Sequence, residues 1–295
     1  MLPAIRRPTA FDTLRLFIVG AIWGSAFIFV SLALIDFQPV SIAAWRVFLG
    51  ALVLILIAFV TRSKFPRGAR YWRFIFIVGA LNSAVPFFLI SWGQQFISSA
   101  ESALLMATGT FCALLVSHFT SEDERINLPR ALGVTVGFIG VLVLVFWDIK
   151  EAGLGSLKGQ IALMVAGCSY AISTIIARRL IHLPPISTSA ATMLSASLYM
   201  VPLAFLLENP IPGVVNHTSI FSLVYLGVVA TALGITIRFT IIRANGAVFM
   251  AQVGYLVPLF GVIWSGLYFS DAINLQTFLS LTLILAGIAI TRKGN

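Results

Sequence analysis

The sequence predicts an all-α membrane protein of ten transmembrane helices, arranged as two inverted five-helix repeats with both termini in the cytoplasm. Three observations predict it. Hydrophobic residues make up 59% of the 295-residue chain and charged residues 10%, against about 25% charged in a soluble domain, so a bilayer is the solvent. Residues 124–140 (ERINLPRALGVTVGFIG) recur 147 positions later as 271–287 (DAINLQTFLSLTLILAG), with six of seventeen positions identical. Once the apolar runs are drawn, 16 of the 19 Lys and Arg residues fall on one side of the membrane.

The first repeat, residues 1–147, holds apolar runs near 14–35, 39–61, 72–92, 98–119 and 128–147. The second, 148–295, holds runs near 157–180, 185–207, 219–241, 245–269 and 273–291. Each has about the 20 apolar residues that cross a ~30 Å hydrocarbon core. Their length and lack of alternation exclude a barrel, so the backbone must satisfy itself within helices. The first run exceeds the roughly 7–15 residues of a signal-peptide core and is followed by further spans, so it is expected to be retained.

Orientation follows from the cations. With the N-terminus inside, the cytoplasmic segments collect Arg6, Arg7, Arg15, the group from Arg62 to Arg73, Arg125, Arg130, Arg178, Arg179, Arg238, Arg243, Arg292 and Lys293. Only Lys150 and Lys158 fall outside, and Arg46 lies within a span. Five spans per repeat is odd, so the copies are inverted, an arrangement characteristic of many transporters. The net charge of +9 is then an insertion signal, and a nucleic-acid partner is not expected. Glu124 opens span five on the inner side and Asp271 opens span ten on the outer side. A carboxylate at a helix start offsets the positive end of the dipole.

Cys112 and Cys168 both fall within apolar runs, and CxxC, HExxH and Cys/His groups at ligand spacing are missing. No cofactor and no metal are expected, and no nucleotide-binding motif marks an ATP-driven pump. An intramembrane enzyme would need a nucleophile with an acid at matching depth. Ser117-His118 has no such acid. A channel would need rings of charge or a carbonyl filter.

Polar residues at membrane depth are costly and usually face an interior path. Asn82 and Gln252 stand out because a carboxamide has several donors and acceptors to satisfy. Ser83, Thr108, Thr110, Ser169, Ser173, Thr174, Thr231 and Thr236 bond either their own helix or a path. Trp23, Tyr170, Tyr225, Tyr255 and Trp264 are interior aromatics that either pack or surround a solute, with Trp23 and Tyr170 at equivalent positions of the two copies. Trp72, Trp92 and Trp147 fit an interfacial belt. Arg46 lies seven residues past Pro39, about 10 Å along its helix, where it either pairs, snorkels or binds a carboxylate. Ser98-Ser99-Ala100-Glu101 reads as a capping box, the alternative being an ammonium or proton site. The small pairs Gly20/Gly24, Gly133/Gly137 and Gly261/Ser265 permit close helix approach. Pro86 and Pro258 are the gating candidates, because proline frees backbone groups and loosens a helix.

Several of these features coincide in order and spacing across nearly the whole chain. They are Trp23-Gly24-Ser25, Pro39 followed by Arg46, the acid opening span five with Gly133 nine residues on, Pro258 thirteen residues before Asp271, and Gly287 ahead of Arg292-Lys293. By them the chain resembles the drug/metabolite transporter superfamily, specifically its ten-helix EamA-type exporters, with a general likeness to the YddG-type amino-acid exporters. Phe111 in place of proline, Asp271 in place of Glu and Ser280 in place of Gly depart from the pattern. The resemblance implies a secondary transporter in the bacterial inner membrane that exports small metabolites, most naturally amino acids of broad range, by alternating access around a cavity between the repeats. The alternative is an exporter of drugs, quaternary amines or other metabolites by proton antiport. The expected partners are a small-molecule solute and the lipid bilayer, with the oligomeric state open, a monomer included. The expected solute-binding residues are Trp23, Arg46, Asn82, Glu101, Tyr170, Gln252 and Tyr255.

Overall fold

A computed structural model describes residues 6–120, 127–152, 155–269 and 274–293. Among the described residues, eight helices are long and apolar enough to cross a membrane. They are α1 (Ala10–Ala33), α2 (Pro39–Val60), α3 (Ala69–Gly93), α4 (from Ser99), α5 (from Leu128), α6 (Gly155–Leu180), α7 (Pro185–Leu207) and α8 (His217–Asn245). Two shorter apolar helices complete the bundle: the long part of α9, Val253–Phe269, and α10, Leu275–Lys293. Among the described residues there is no strand. Glu124 and Asp271, the acidic pair of the repeated motif, lie outside the described residues.

Two expected continuous runs are broken near their starts. α4 divides into Ser99–Leu105 and Thr108–Thr120, and α9 into Ala247–Met250 and Val253–Phe269. At both breaks the backbone tightens to i−3 bonding: Ala107, Gly109 and Thr110 donate to the carbonyls of Leu104, Met106 and Ala107, and Gln252, Gly254 and Tyr255 to those of Phe249, Ala251 and Gln252. Thr108 Oγ1 donates to the freed Leu105 carbonyl at 2.7 Å. The α4 break seats Gly109 on Gly167 of α6, where a Cβ would meet the Gly167 carbonyl oxygen at 2.8 Å. Hydropathy is blind to such breaks, because the residues on either side are equally apolar.

Small residues set the helix contacts. In α5 and α10, Gly133 lies against Gly287 and Thr291, while Gly140 lies against Ser280 and Leu283, so the two helices run antiparallel. A Cβ on Gly287 would meet the Gly133 carbonyl oxygen at 2.6 Å; only glycine permits this approach. α2 and α7 are likewise antiparallel. Glu208 at the end of α7 accepts from the backbone N–H groups of Val40 and Ser41 at 3.0 and 2.7 Å, and Ser187 at the start of α7 donates to the Lys64 carbonyl at 2.8 Å. Glu208 thereby caps α2, whose own Gln38 makes no side-chain cap. α7 suits this contact because its inner face is Ser, Thr and Ala from Ser187 to Ser197, nearly all buried. α1 packs parallel to α9 through Gly20 against Leu256 and Gly24 against Phe260.

The outward surface carries large apolar side chains such as Phe59, Phe119, Leu206 and Leu267, each at least 70% exposed. In water that would be untenable, whereas in acyl chains it costs nothing.

Candidate functional site

At the centre of the bundle two helices widen. Residues 80–84 of α3 and 225–233 of α8 are π-helical. Positions 147 residues beyond 80–84 are 227–231, inside the second segment. π segments within α-helices frequently mark functional sites, because they release backbone groups from the regular ladder.

Pro86 accounts for the widening in α3. Its ring clashes with the carbonyl four residues back and it has no N–H to donate. Val85 instead donates to Ala80, five residues back. In that register residue 86 would serve the Leu81 carbonyl, which proline leaves bare. Ser169 of α6 fills the place, its Oγ donating to the Leu81 oxygen at 2.7 Å. α8 has no proline at the equivalent position. There the Gly234 N–H turns to the carbonyls of Thr231 and Val229, and the Ala230 carbonyl accepts from Trp23 Nε1 of α1 at 3.0 Å. Gly234 leaves room for the indole, since a Cβ would come within 2.5 Å of Nε1. Each widened segment is thus completed by a side chain from the opposite half of the sequence.

Arg46 of α2 reaches into this region and is 8% exposed. Its Nε donates to Thr231 Oγ1 at 3.2 Å, and Thr231 Oγ1 in turn donates to the Leu226 carbonyl at 2.8 Å. The guanidinium carbon lies 3.7 Å from the centre of the Phe87 ring, a cation–π arrangement. Among the described residues no carboxylate lies within ion-pair distance; the ion pairs found, Arg6–Asp12 and Arg15–Asp12, are at the start of α1. Tyr170 of α6 is near enough to interact electrostatically with Arg46, and it packs against the cluster of Ala84 and Phe87. Its hydroxyl makes no hydrogen bond to a described residue. The same holds for the half-buried Asn82 amide in the α3 widening.

The structure therefore gathers Trp23, Arg46, Asn82 and Tyr170 around the two widened segments. Other expected residues lie elsewhere. Glu101 is bound in the capping box of α4: its carboxylate accepts from the Ser98 N–H at 2.9 Å, and Ser98 Oγ accepts from the Glu101 N–H at 3.2 Å. Tyr255 donates to the Ile288 carbonyl of α10 at 2.9 Å. Gln252 sits in the break of α9, half-buried, where the chain is a turn. Pro258 lies inside α9 and is buried. Of the other interior aromatics, Trp264 donates to the Ala21 carbonyl at 3.2 Å, and Tyr225 shares a 2.7 Å hydrogen bond with Ser25 while stacking on Phe29 at 3.8 Å. Thr174 and Thr236 bond their own helices.

Sequence reasoning missed Thr231 and Phe87 as the seat of Arg46, and the α8 widening altogether. Pro86 was the one visible signal, at the edge of the α3 segment. Among the described residues no three His, Cys, Asp or Glu side chains converge as metal ligands. A separate recess of about 220 Å³ between α2 and α7 is lined by Trp45, Phe48, Val201 and Phe205 and offers no charged group.

A model of the EamA-like transporter family matches the chain twice, over residues 13–146 and 157–292. The chain belongs to the EamA-like transporter family. Membership makes it a multi-pass integral membrane transporter and not an enzyme. Among its relatives is an uncharacterised transporter of Bacillus subtilis, YoaV, 22% identical over 92% of each chain. A probable amino-acid metabolite efflux pump of Escherichia coli is 24% identical over 96% of this chain and 95% of that protein. PagO of Salmonella typhimurium is 24% identical over 93% and 90%. A solved crystal structure superposes on this EamA protein with a TM-score of 0.71, covering 98% of this chain and 100% of that one at 17% identity, which establishes a shared fold.

Proposed function

We propose that the protein exports small metabolites, amino acids of broad range foremost, by alternating access around the Arg46 centre. In this reading all ten helices span the membrane as inverted repeats, 1–147 and 148–295, with both termini cytoplasmic. The observation that carries it is a buried guanidinium with no described carboxylate partner, seated on Phe87 and Thr231 beside the unbonded hydroxyl of Tyr170. A cation at membrane depth requires a counter-charge or a polar partner, and a solute carboxylate supplies one bidentately. The antiparallel packing of α2 on α7 and of α5 on α10 supports the inverted arrangement, as does the position of the two π segments. The Escherichia coli relative, a probable amino-acid metabolite efflux pump, favours the same solute class.

Every Asp and Glu of the chain lies by sequence position at a helix end or in a connection. Proton antiport through a mid-membrane carboxylate therefore finds no support, and flux driven by the solute gradient is favoured. Reconstitution in liposomes with a panel of amino acids, quaternary amines and sugar phosphates tests the reading. Saturable counterflow of amino acids that survives collapse of the proton gradient is expected. Failure of every amino acid to move, or loss of flux on uncoupling in sealed vesicles, would contradict it.

A further inference from the structure

Arg46 is not the only cation that the bundle holds away from its surface. Arg238, counted among the cytoplasmic cations by its sequence position, lies in α8 seven residues before its end at Asn245, and so about 10 Å inside, because the helix runs on past the expected end of its span. Its direction follows from its neighbours. Gly234 meets Trp23 of α1, and Ile241 is fully buried in a cluster with Leu16 and Val19 of α1. Ile235 packs instead on the cluster of Leu54 from α2 and Met193 from α7. Leu233 and Thr240 are exposed and mark the lipid side. At 100° per residue, Arg238 falls between the α1-facing and the α2/α7-facing positions, about 140–160° from Leu233 and Thr240. It therefore projects to the bundle interior. It is half-buried, and no described residue forms an ion pair or hydrogen bond with it.

Arg238 also follows Thr231, the seat of Arg46, by seven residues. Two helical turns place them on nearly the same face, about 10 Å apart along α8. Two guanidinium groups thus line one side of the interior, and the chain's acidic residues all lie at helix ends or connections. Charge of one sign in a low-dielectric passage raises the local concentration of counter-ions and repels ions of its own sign.

Resting on the transporter reading above, we infer that within the range of amino acids carried the passage favours those of net negative charge, and that Arg238 is a second anion station between the Arg46 centre and the C-terminal end of α8. A dicarboxylate amino acid passes from one guanidinium to the other, a zwitterion engages them weakly, and a quaternary amine is excluded.

The probe set is glutamate, its near-isostere glutamine, and choline, measured by counterflow in proteoliposomes holding the full chain, with a potassium diffusion potential set by valinomycin. Glutamate flux at least tenfold above glutamine is expected, with no choline flux. Glutamate efflux should also accelerate when the interior is made negative. Arg238→Gln should remove the glutamate preference, bringing the glutamate-to-glutamine flux ratio near one, and Arg238→Lys should restore most of it. If the protein moves glutamine as fast as glutamate, or moves choline, the inference is overturned while the transporter reading stands. If it moves no solute of this set or of the wider panel, both fall. The wild-type comparison decides the matter even if Arg238→Gln does not fold.

Discussion

The contact between Ser169 and the bare Leu81 carbonyl makes a specific energetic prediction. Ser169 serves an oxygen that is bare only because Pro86 has no N–H. Ser169→Ala removes the donor and leaves a buried carbonyl unsatisfied, a loss of about 1–3 kcal/mol in a water-excluded site. Hydrogen bonds in membrane proteins sit lower, averaging about 0.6 and reaching about 1.7 kcal/mol. An expected cost of about 1 kcal/mol, roughly fivefold in the unfolding equilibrium, reconciles the two. Pro86→Ala restores an N–H. In a π register residue 86 then serves Leu81, and in an α register Val85 does, so either outcome satisfies the carbonyl. In that background Ser169→Ala should cost almost nothing, giving a coupling of about 1 kcal/mol between residues on different helices. Reversible unfolding of the four proteins in mixed detergent micelles measures it. Equal costs of Ser169→Ala in both backgrounds would refute the assignment of the π segment to Pro86.

Three further outcomes follow from the contacts. Gly287→Ala drives a methyl into the backbone of Gly133 and Gly137, and should destabilise the α5–α10 pair by about 1–3 kcal/mol, read as a lower melting temperature in detergent; an unchanged value would show that these helices are not seated in this register. Asp36, between α1 and α2, accepts from Ser219 Oγ at 2.6 Å and the Asn216 N–H at 2.9 Å, and these donors, Ser219 first, hold its carboxyl below the usual range. A lowered pKa means stability present above the unfolded value and lost as pH falls through the folded one, so the melting temperature of wild type should exceed that of Asp36→Asn at pH 7, with a gap that begins to shrink near about pH 3.9 and closes only below the lower folded value; a constant gap would contradict the contact. Cys112 of α4 and Cys168 of α6 are near enough for their thiols to interact electrostatically, so mild copper-catalysed oxidation should join them within one chain, seen by peptide mapping, and failure to join would contradict that proximity.

The all-helical, apolar character of the chain was legible in hydropathy, because a helix that crosses a bilayer must be apolar over most of its length. The capping box at Ser98 and Glu101 was legible too, being local in sequence. The π segments were not. Apolar content does not distinguish a π turn from an α turn, and α8 carries no proline to mark its own. The seat of Arg46 was invisible for a different reason: Thr231 is 185 residues away, and only the packing of α2 on α8 brings them together. Trp23 and Tyr170 were paired by the 147-residue offset, and both do border the widened segments, Trp23 as a donor to Ala230 and Tyr170 beside Arg46. The break in α9 beside Gln252 left no compositional trace, because the residues on either side of it are equally apolar.

The most direct test of the account is amino-acid counterflow in proteoliposomes with Arg46→Ala and Arg46→Lys beside wild type, each shown to be folded by its elution profile and melting temperature. A solute carboxylate held bidentately at Arg46 predicts at least a tenfold loss of flux in Arg46→Ala, with partial recovery in Arg46→Lys expressed as a raised half-saturation concentration, because an ammonium keeps the charge and loses the fork. Flux and half-saturation unchanged in folded Arg46→Ala would contradict it.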